Sequence, residues 1–133
     1  MINKLNKLTK LFPVFYKEIS TPNVRGRSYG LWIVIEPHLR DDKGLLAHER
    51  CHVRQFITTL GTHGIMYELS KKYKYKAEVE AFGYSIAYGS RTISDVKNSL
   101  ISAYGITNDI MDTYEADIEF AIYKAKEDID ELT

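Results

Sequence analysis

The sequence predicts a small α+β domain, in which a short N-terminal β element packs on a mainly helical core. Three observations support this class. Runs rich in aromatic and β-branched residues lie between residues 14 and 35. From residue 45 onward, apolar residues recur at spacings of three and four, which is typical of helices. A chain of 133 residues with 44% hydrophobic residues is long enough for one core, so we expect residues 1–133 to form a single domain.

The predicted β element is a pair of antiparallel strands. The strands cover residues 14–20 and 28–35, and turn-forming residues at 21–23 separate them. The apolar run at 31–35 indicates that the second strand is the more buried one, and Pro37 ends it.

Four helices are predicted after the strands. The first begins at the acidic turn 41–44, and the second runs from Gly64 to about Tyr88, with a break near its lysines. Ser94 is the predicted N-cap of a short third helix, and Thr107 that of the last one. The helices would therefore supply most of the core.

Composition and charge exclude several classes of protein. The 18 Lys and Arg balance 18 Asp and Glu, which argues against a strongly basic nucleic-acid binder, although residues 1–35 are basic and residues 108–133 acidic. The lone Cys51 cannot build a disulfide framework, and no apolar run approaches the roughly 20 residues that span a membrane. Since no secretory signal is visible, we expect a cytoplasmic protein without a membrane span.

The chemistry of the chain is indicated by the pattern His-Glu-x-x-His at residues 48–52, within the first long helix. Positions i and i+4 of a helix lie on one face, so the imidazoles of His48 and His52 can reach one ion. Catalytic zinc uses three protein ligands and one open position, and it lowers the pKa of bound water to about 7. The pattern therefore predicts Zn²⁺ held by His48 and His52, with Glu49 as the general base.

The third zinc ligand has several candidates. A short HExxHxxGxxH spacing would need histidine at position 58, where this chain has Thr58, and His63 lies beyond a glycine. The second long helix offers Glu78 and Glu80, each of which shares a helix face with small residues that allow close approach. The residues themselves favour neither glutamate.

A family resemblance adds to this interpretation. The stretches LLAHERCHVRQ at 45–55 and SKKYKYKAEVEAF at 70–82 resemble the small bacteriophage and bacterial proteins classed as zinc metallopeptidases, a minimal form of the gluzincin group. The resemblance implies a zincin-like core, peptide-bond hydrolysis of a peptide or protein substrate, and Glu78 as the third ligand. If the chain is encoded by a phage, the expected location is the host cytoplasm. Gluzincins often carry an Asp four residues after that Glu, which orients a zinc-bound histidine. This chain has Phe82 there, so the orienting group is expected to be a backbone carbonyl or Glu80.

Several roles around the motif remain open. The oxyanion of the reaction could be stabilised by any of four residues: His63, Tyr67, Tyr84 and Tyr88. The strand around Trp32 is predicted to border the active-site helix and to offer backbone groups to an extended peptide. Cys51, although it lies inside the motif, is predicted to be a small buried residue on the back of the helix.

A second hypothesis keeps the zinc but removes the catalysis. The chain would be a zinc-stabilised binding module, and the lysines of segment 71–76, interleaved with Tyr73 and Tyr75, would bind a protein or nucleic-acid partner. An intact Glu49 favours the enzyme, because a purely structural zinc site does not need that residue. The pattern of bases and aromatics is short, so nucleic acid is the less favoured partner.

Overall fold

The computed structural model describes residues 7–21 and 24–132, with the backbone alone for 130–132. It confirms the α+β class: a small sheet precedes a mainly helical region. Short 3-10 helices at Pro37–Leu39 and Ile110–Thr113 link some of the elements. The elements in chain order are β1 (Val14–Tyr16), β2 (Gly26–Tyr29), β3 (Trp32–Ile35), α1 (Lys43–Thr58), α2 (His63–Leu69), α3 (Lys71–Ala87), α4 (Ile93–Ser102) and α5 (Tyr114–Leu132).

The β element differs from the predicted antiparallel pair. It is a mixed three-stranded sheet in the order β1-β3-β2, in which β1 runs parallel to β3 and β2 runs antiparallel to it. The predicted strand 28–35 is divided because Gly30, at φ 72°, makes a tight turn with Leu31. Of the predicted turn at 21–23, residues 22 and 23 lie outside the described residues.

Strand β3 lies in the middle of the sheet and packs on α1. Ile33 and Ile35 are 1% exposed and pack with Val53 of α1, whereas Trp32 points to the opposite face and is 48% exposed. Strand β3 therefore borders α1, as predicted, but the prediction that it offers backbone groups to an extended peptide is wrong, because β1 and β2 pair with it on both sides. The edge strand next to α1 is β2, because β3 already has a neighbour on each side.

The helices follow the predicted order with shifted ends. The predicted break near the lysines falls at Ser70, whose side chain accepts a hydrogen bond from the Tyr73 backbone at 3.1 Å and so caps α3. The cap of α4 is Thr92, which forms a reciprocal capping box with Asp95, and not the predicted Ser94. Thr107 does not cap the last helix, because the 3-10 turn at Ile110–Thr113 comes between them.

Helix α3 lies between α1 and α5, and it is consequently buried on more than one face. Two of its tyrosines donate hydrogen bonds to aspartates of α5: Tyr75 to Asp117 at 2.7 Å and Tyr84 to Asp128 at 2.8 Å. Some acids of the last helix therefore face inward. The main apolar cluster fills the space between α3, α4 and α5 and contains Tyr75, Val79, Phe82, Val96, Leu100, Ile106, Met111, Tyr114 and Ile118.

Among the described residues, we find no helix with the length and apolar character needed to cross a membrane.

Close approach of α3 and α5 depends on Gly83. A Cβ atom at this position would lie 2.7 Å from the carbonyl oxygen of Ala121, which is backbone and cannot rotate away. We expect Gly83→Ala to lower the free energy of unfolding by about 1–3 kcal/mol, as overpacking does. Gly64→Ala is the matched control, since a Cβ there meets nothing within 4 Å, and it should leave stability equal or raise it by about 0.4–1 kcal/mol. Urea unfolding measures both, and a neutral Gly83→Ala would contradict this packing.

Candidate metal centre

Helix α1 brings the two motif histidines together. Asp42 caps its N-terminus by accepting a hydrogen bond from the Leu45 backbone at 3.0 Å, and the helix runs without a break through the motif. His48 and His52 therefore stand one turn apart, with their Nε2 atoms 3.2 Å from each other. Both side chains are buried, so the pair faces the interior.

Helix α3 adds Glu78 to this pair. Its Oε1 atom lies 3.1 Å from His52 Nε2 and 3.3 Å from His48 Nε2, and Glu78 is 1% exposed. Small buried residues, Ala47 of α1 and Ala81 of α3, share a cluster between the helices and permit this approach. Of the two glutamates that the residues left open, the structure brings Glu78 to the histidines. Glu80 is oriented elsewhere, with its Oε1 atom 2.7 Å from Arg54 Nη2 and its side chain 47% exposed.

The three side chains fit a small metal ion such as zinc. Their ligand atoms form a triangle with sides of 3.1, 3.2 and 3.3 Å. A tetrahedral zinc ion with bonds of about 2.0–2.1 Å to nitrogen would separate its ligand atoms by about 3.3–3.4 Å. Within the described residues, His48, His52 and Glu78 are the group that could hold a metal, so a fourth position would stay open. An open position distinguishes catalytic from structural zinc sites.

Electrostatics of the metal-free group favour a buried ion pair. Burial lowers the pKa of His52, but Glu78, together with Glu49 and the Gln55 hydrogen bond, more than compensates and raises the pKa to about 9. Burial raises the pKa of Glu78, but His52 and His48 hold that pKa far below its usual value. A proton therefore occupies His52 at neutral pH when no metal is present, and metal binding would have to displace it.

Glu49 lies beside this group without belonging to it. It is 5% exposed and accepts a hydrogen bond from the backbone N–H of Ser28, on the edge strand β2. Burial raises the pKa of Glu49, although His48, His52 and the Ser28 contact act in the opposite direction. The strand passes close to the carboxylate, since a Cβ atom at Gly26 would lie 3.4 Å from Glu49 Cγ.

The Nδ1 atoms of the two histidines have different surroundings. His52 Nδ1 lies 2.8 Å from the Oε1 atom of Gln55, one turn further along α1. His48 Nδ1 lies 3.4 Å from Ser85 Oγ, and its ring is in edge contact with Phe82, with the centroids 4.4 Å apart. Phe82 thus packs directly on one of the candidate ligands. Our sequence analysis missed Gln55, which the three-residue spacing after His52 could have indicated.

The predicted oxyanion candidates separate into two pairs. Tyr67 donates a hydrogen bond to Glu78 Oε2 at 3.1 Å. The His63 ring lies 5.9 Å from that of His52, but His63 Nδ1 is 2.7 Å from Tyr73 Oη, and His63 is not part of the ligand group. The other two candidates face different parts of the molecule: Tyr84 bonds Asp128, and Tyr88 packs beside the cluster of Ala47 and Cys51.

Tyr104, which follows α4, is a further phenol near the site, and the sequence analysis did not find it. Burial and the carboxylates of Glu78 and Glu49 raise its pKa, so the phenol keeps its proton. Its ring packs on Phe82 with the centroids 6.0 Å apart. No short-range spacing links residue 104 to the motif, because only the tertiary fold brings α4 against α3.

Cys51 is buried, as predicted, but it faces α3 and Gln55 and not the back of α1, because its Sγ atom lies 3.5 Å from Glu80 Oε1 and 3.6 Å from Gln55 Nε2. It is 2% exposed and is not part of the ligand group. Burial and the neighbouring Glu80 raise the pKa of its thiol well above the ordinary value. A buried thiol that keeps its proton is a poor metal ligand and a poor nucleophile.

The lysines of segment 71–76 are not accompanied by exposed aromatic rings. Tyr75 is 4% exposed, and Tyr73 is half-buried with its hydroxyl bonded to His63, so neither tyrosine presents a fully exposed ring for base stacking. Lys74 lies over the Tyr67 ring at 4.8 Å, and Lys71 Nζ lies 3.5 Å from the Tyr104 carbonyl oxygen. These contacts weaken the nucleic-acid interpretation of the segment.

A cavity of about 890 Å³ lies between α3 and α5. Arg54 and Glu80 line it, together with Asp128 and Tyr84, but His48, His52 and Glu78 do not. The cavity is therefore separate from the candidate metal centre.

Comparisons with protein-family models, with curated proteins and with solved structures found no match for this chain.

Proposed function

We propose that this chain is a zinc-dependent metallopeptidase in which Glu49 is the general base. The observation that carries the proposal is the triangle of His48, His52 and Glu78 ligand atoms, with sides of 3.1–3.3 Å, beside the buried Glu49. Three ligands and an adjacent carboxylate are what hydrolytic zinc sites require. The proposal includes the zincin-like core and the kinship with small phage and bacterial metallopeptidases, with a cytoplasmic location.

Glu49 would take a proton from the attacking water. Zinc in such a site supplies hydroxide at neutral pH and polarises the carbonyl to be attacked. Burial raises the pKa of Glu49, so its carboxylate is a stronger base than an exposed one. The Ser28 N–H holds one side of the carboxylate, which leaves the other for the water and, after attack, for the leaving amine.

The substrate would be an extended peptide along strand β2. An edge strand has unpaired backbone groups that can bind a peptide by strand addition. Strand β2 is at the edge of the sheet and passes directly over Glu49 through Gly26 and Ser28. Tyr104, a protonated phenol near the carboxylates, is a donor that could stabilise the oxyanion, whereas Tyr67 could do so only by giving up its hydrogen bond to Glu78 Oε2.

One observation favours the second candidate, a zinc-stabilised binding module. The exposed fractions of His48, His52 and Glu78 are 4%, 8% and 1%, which suits a closed structural site. Against it, a structural site normally has four protein ligands, and it has no use for a buried carboxylate such as Glu49.

Metal removal distinguishes the two candidates. We expect the purified chain to bind one zinc ion and to cleave unstructured peptides, to lose cleavage in a chelator, and to regain it when zinc is added back. Thermal unfolding should be followed in the same samples, because a binding module would lose its fold with the metal and never cleave. A protein that binds no zinc would contradict both candidates, and a zinc-loaded protein without cleavage would contradict the peptidase.

A further inference from the structure

The Nδ1 atom of His52 has a hydrogen-bond partner on the same helix. Gln55 Oε1 lies 2.8 Å from it, and both side chains are buried. An amide oxygen accepts hydrogen bonds and cannot donate them, so the proton of this bond sits on His52 Nδ1. The opposite ring atom, Nε2, then presents its lone pair to an ion at the ligand group when the ring is neutral.

Two acceptors fix the orientation of the Gln55 amide. Its Nε2 atom donates to Glu80 Oε1 at 2.8 Å and to the Ala77 carbonyl oxygen at 3.1 Å. A flipped amide would put its oxygen against both acceptors and its NH₂ against His52. The assignment of the amide oxygen therefore follows from the whole set of contacts.

Glu80 is in turn held by Arg54. Arg54 Nη2 lies 2.7 Å from Glu80 Oε1, and Arg54 is 4% exposed. Arg54 and Gln55 both belong to α1, whereas Glu80 belongs to α3. The series of contacts thus crosses between the two helices that supply the metal ligands.

We propose that Gln55 is the positioning residue of this site: clamped by Glu80, it holds His52 in the tautomer and ring orientation that a metal requires. This role rests on the proposed metal-dependent function. Such outer partners of metal ligands typically contribute about 10–100-fold to metal affinity.

The first test removes both hydrogen-bonding functions of Gln55 with little change of volume. We expect Gln55→Met to lower zinc affinity about 10–100-fold in competition with a chelator. Tyr114→Phe is the matched control, since it removes a hydrogen bond from a buried side chain to the Ile93 carbonyl, far along the chain from the motif. If Gln55 were merely structural, both variants would lose stability and both would keep wild-type affinity, which would overturn the proposal.

A rescue tests the direction of the hydrogen bonds. Gln55→Glu puts two carboxylates at the 2.8 Å contact with Glu80 and should weaken zinc binding. Adding Glu80→Gln to Gln55→Glu restores an acceptor for His52 and a donor between positions 55 and 80, while the Ala77 carbonyl oxygen still loses its donor. We expect the double variant to bind zinc more tightly than either Gln55→Glu or Gln55→Met. A double variant as weak as Gln55→Met would contradict the proposal.

Nuclear magnetic resonance separates this proposal from the proposed function. In metal-free protein labelled with ¹⁵N-histidine, the His52 Nδ1–H proton should give a slowly exchanging resonance in wild type and in Tyr114→Phe. It should be lost to solvent exchange in Gln55→Met. The wild-type protein could show that resonance and yet neither bind zinc nor cleave peptides. In that case the proposed function fails, while the orientation of His52 by Gln55 is upheld. If the resonance survives in Gln55→Met, the proposal that Gln55 orients His52 is contradicted, whatever zinc affinity is measured.

Discussion

Glu49→Gln is expected to lower peptide cleavage about 10²–10⁴-fold while zinc binding stays unchanged. General-base catalysis contributes that much in typical enzymes, and an amide cannot take the proton. Glutamine has the same shape and can still accept the hydrogen bond from the Ser28 backbone. Measuring kcat and metal content on the same preparations checks the prediction.

Loss of fold would not explain such a result. Because the pKa of Glu49 is raised in the folded protein, the ionised carboxylate destabilises the fold, and this cost grows as the pH rises through the folded pKa. Replacing it with a neutral amide should leave stability at pH 7 equal or higher. Glu119→Gln, an exposed change on α5, is the control for charge alone. Wild-type cleavage by Glu49→Gln would refute the assigned role of Glu49.

Glu78→Gln is expected to lower zinc affinity by more than about 100-fold, since removal of a ligand should exceed the effect of removing an outer partner. Glu80→Gln is the informative comparison, because the sequence alone left both glutamates open. It should lower the affinity less than 10-fold, since Gln55 would keep its bond to the Ala77 carbonyl oxygen. Chelator competition on both variants decides between them, and equal losses would contradict the assignment of Glu78.

Glu78→Gln should also destabilise the metal-free protein to an extent that depends on pH. His52 has a folded pKa of about 9 against about 6.5 when unfolded, so its pairing with Glu78 stabilises fully below pH 6.5 and is lost as the pH rises through 9. Glu78→Gln should therefore destabilise the metal-free chain at pH 6 and have little effect at pH 9.5. Urea unfolding at the two pH values measures this difference.

Local spacing was sufficient to predict much of the molecule. The four-residue spacing of His48 and His52 places both imidazoles on one helix face whatever the rest of the fold is, because one helical turn separates them. Apolar residues also recur four apart in the last helix, and two of them, Tyr114 and Ile118, are buried as that spacing indicates. In both cases the signal lies within one or a few turns of a single helix.

Pairing between distant segments could not be predicted in the same way. The parallel alignment of β1 with β3 depends on β2 returning along the other side of β3, which no local pattern records. The division of 28–35 into a hairpin depends on a single glycine, Gly30, in an otherwise continuous β-forming run. Helix ends were displaced because several residues near each terminus can act as caps.

The sequence by itself determined the α+β class and the His48–His52 pair, with Glu49 beside it. Only the tertiary structure decided which glutamate approaches that pair, since α3 is packed by α1 on one side and α5 on the other, and both of its faces therefore look buried. It also decided that Gln55 lies against His52 and that Tyr104 lies against Phe82. Helical periodicity is a property of a few neighbouring residues, whereas the partner of each helix face depends on how the whole chain packs.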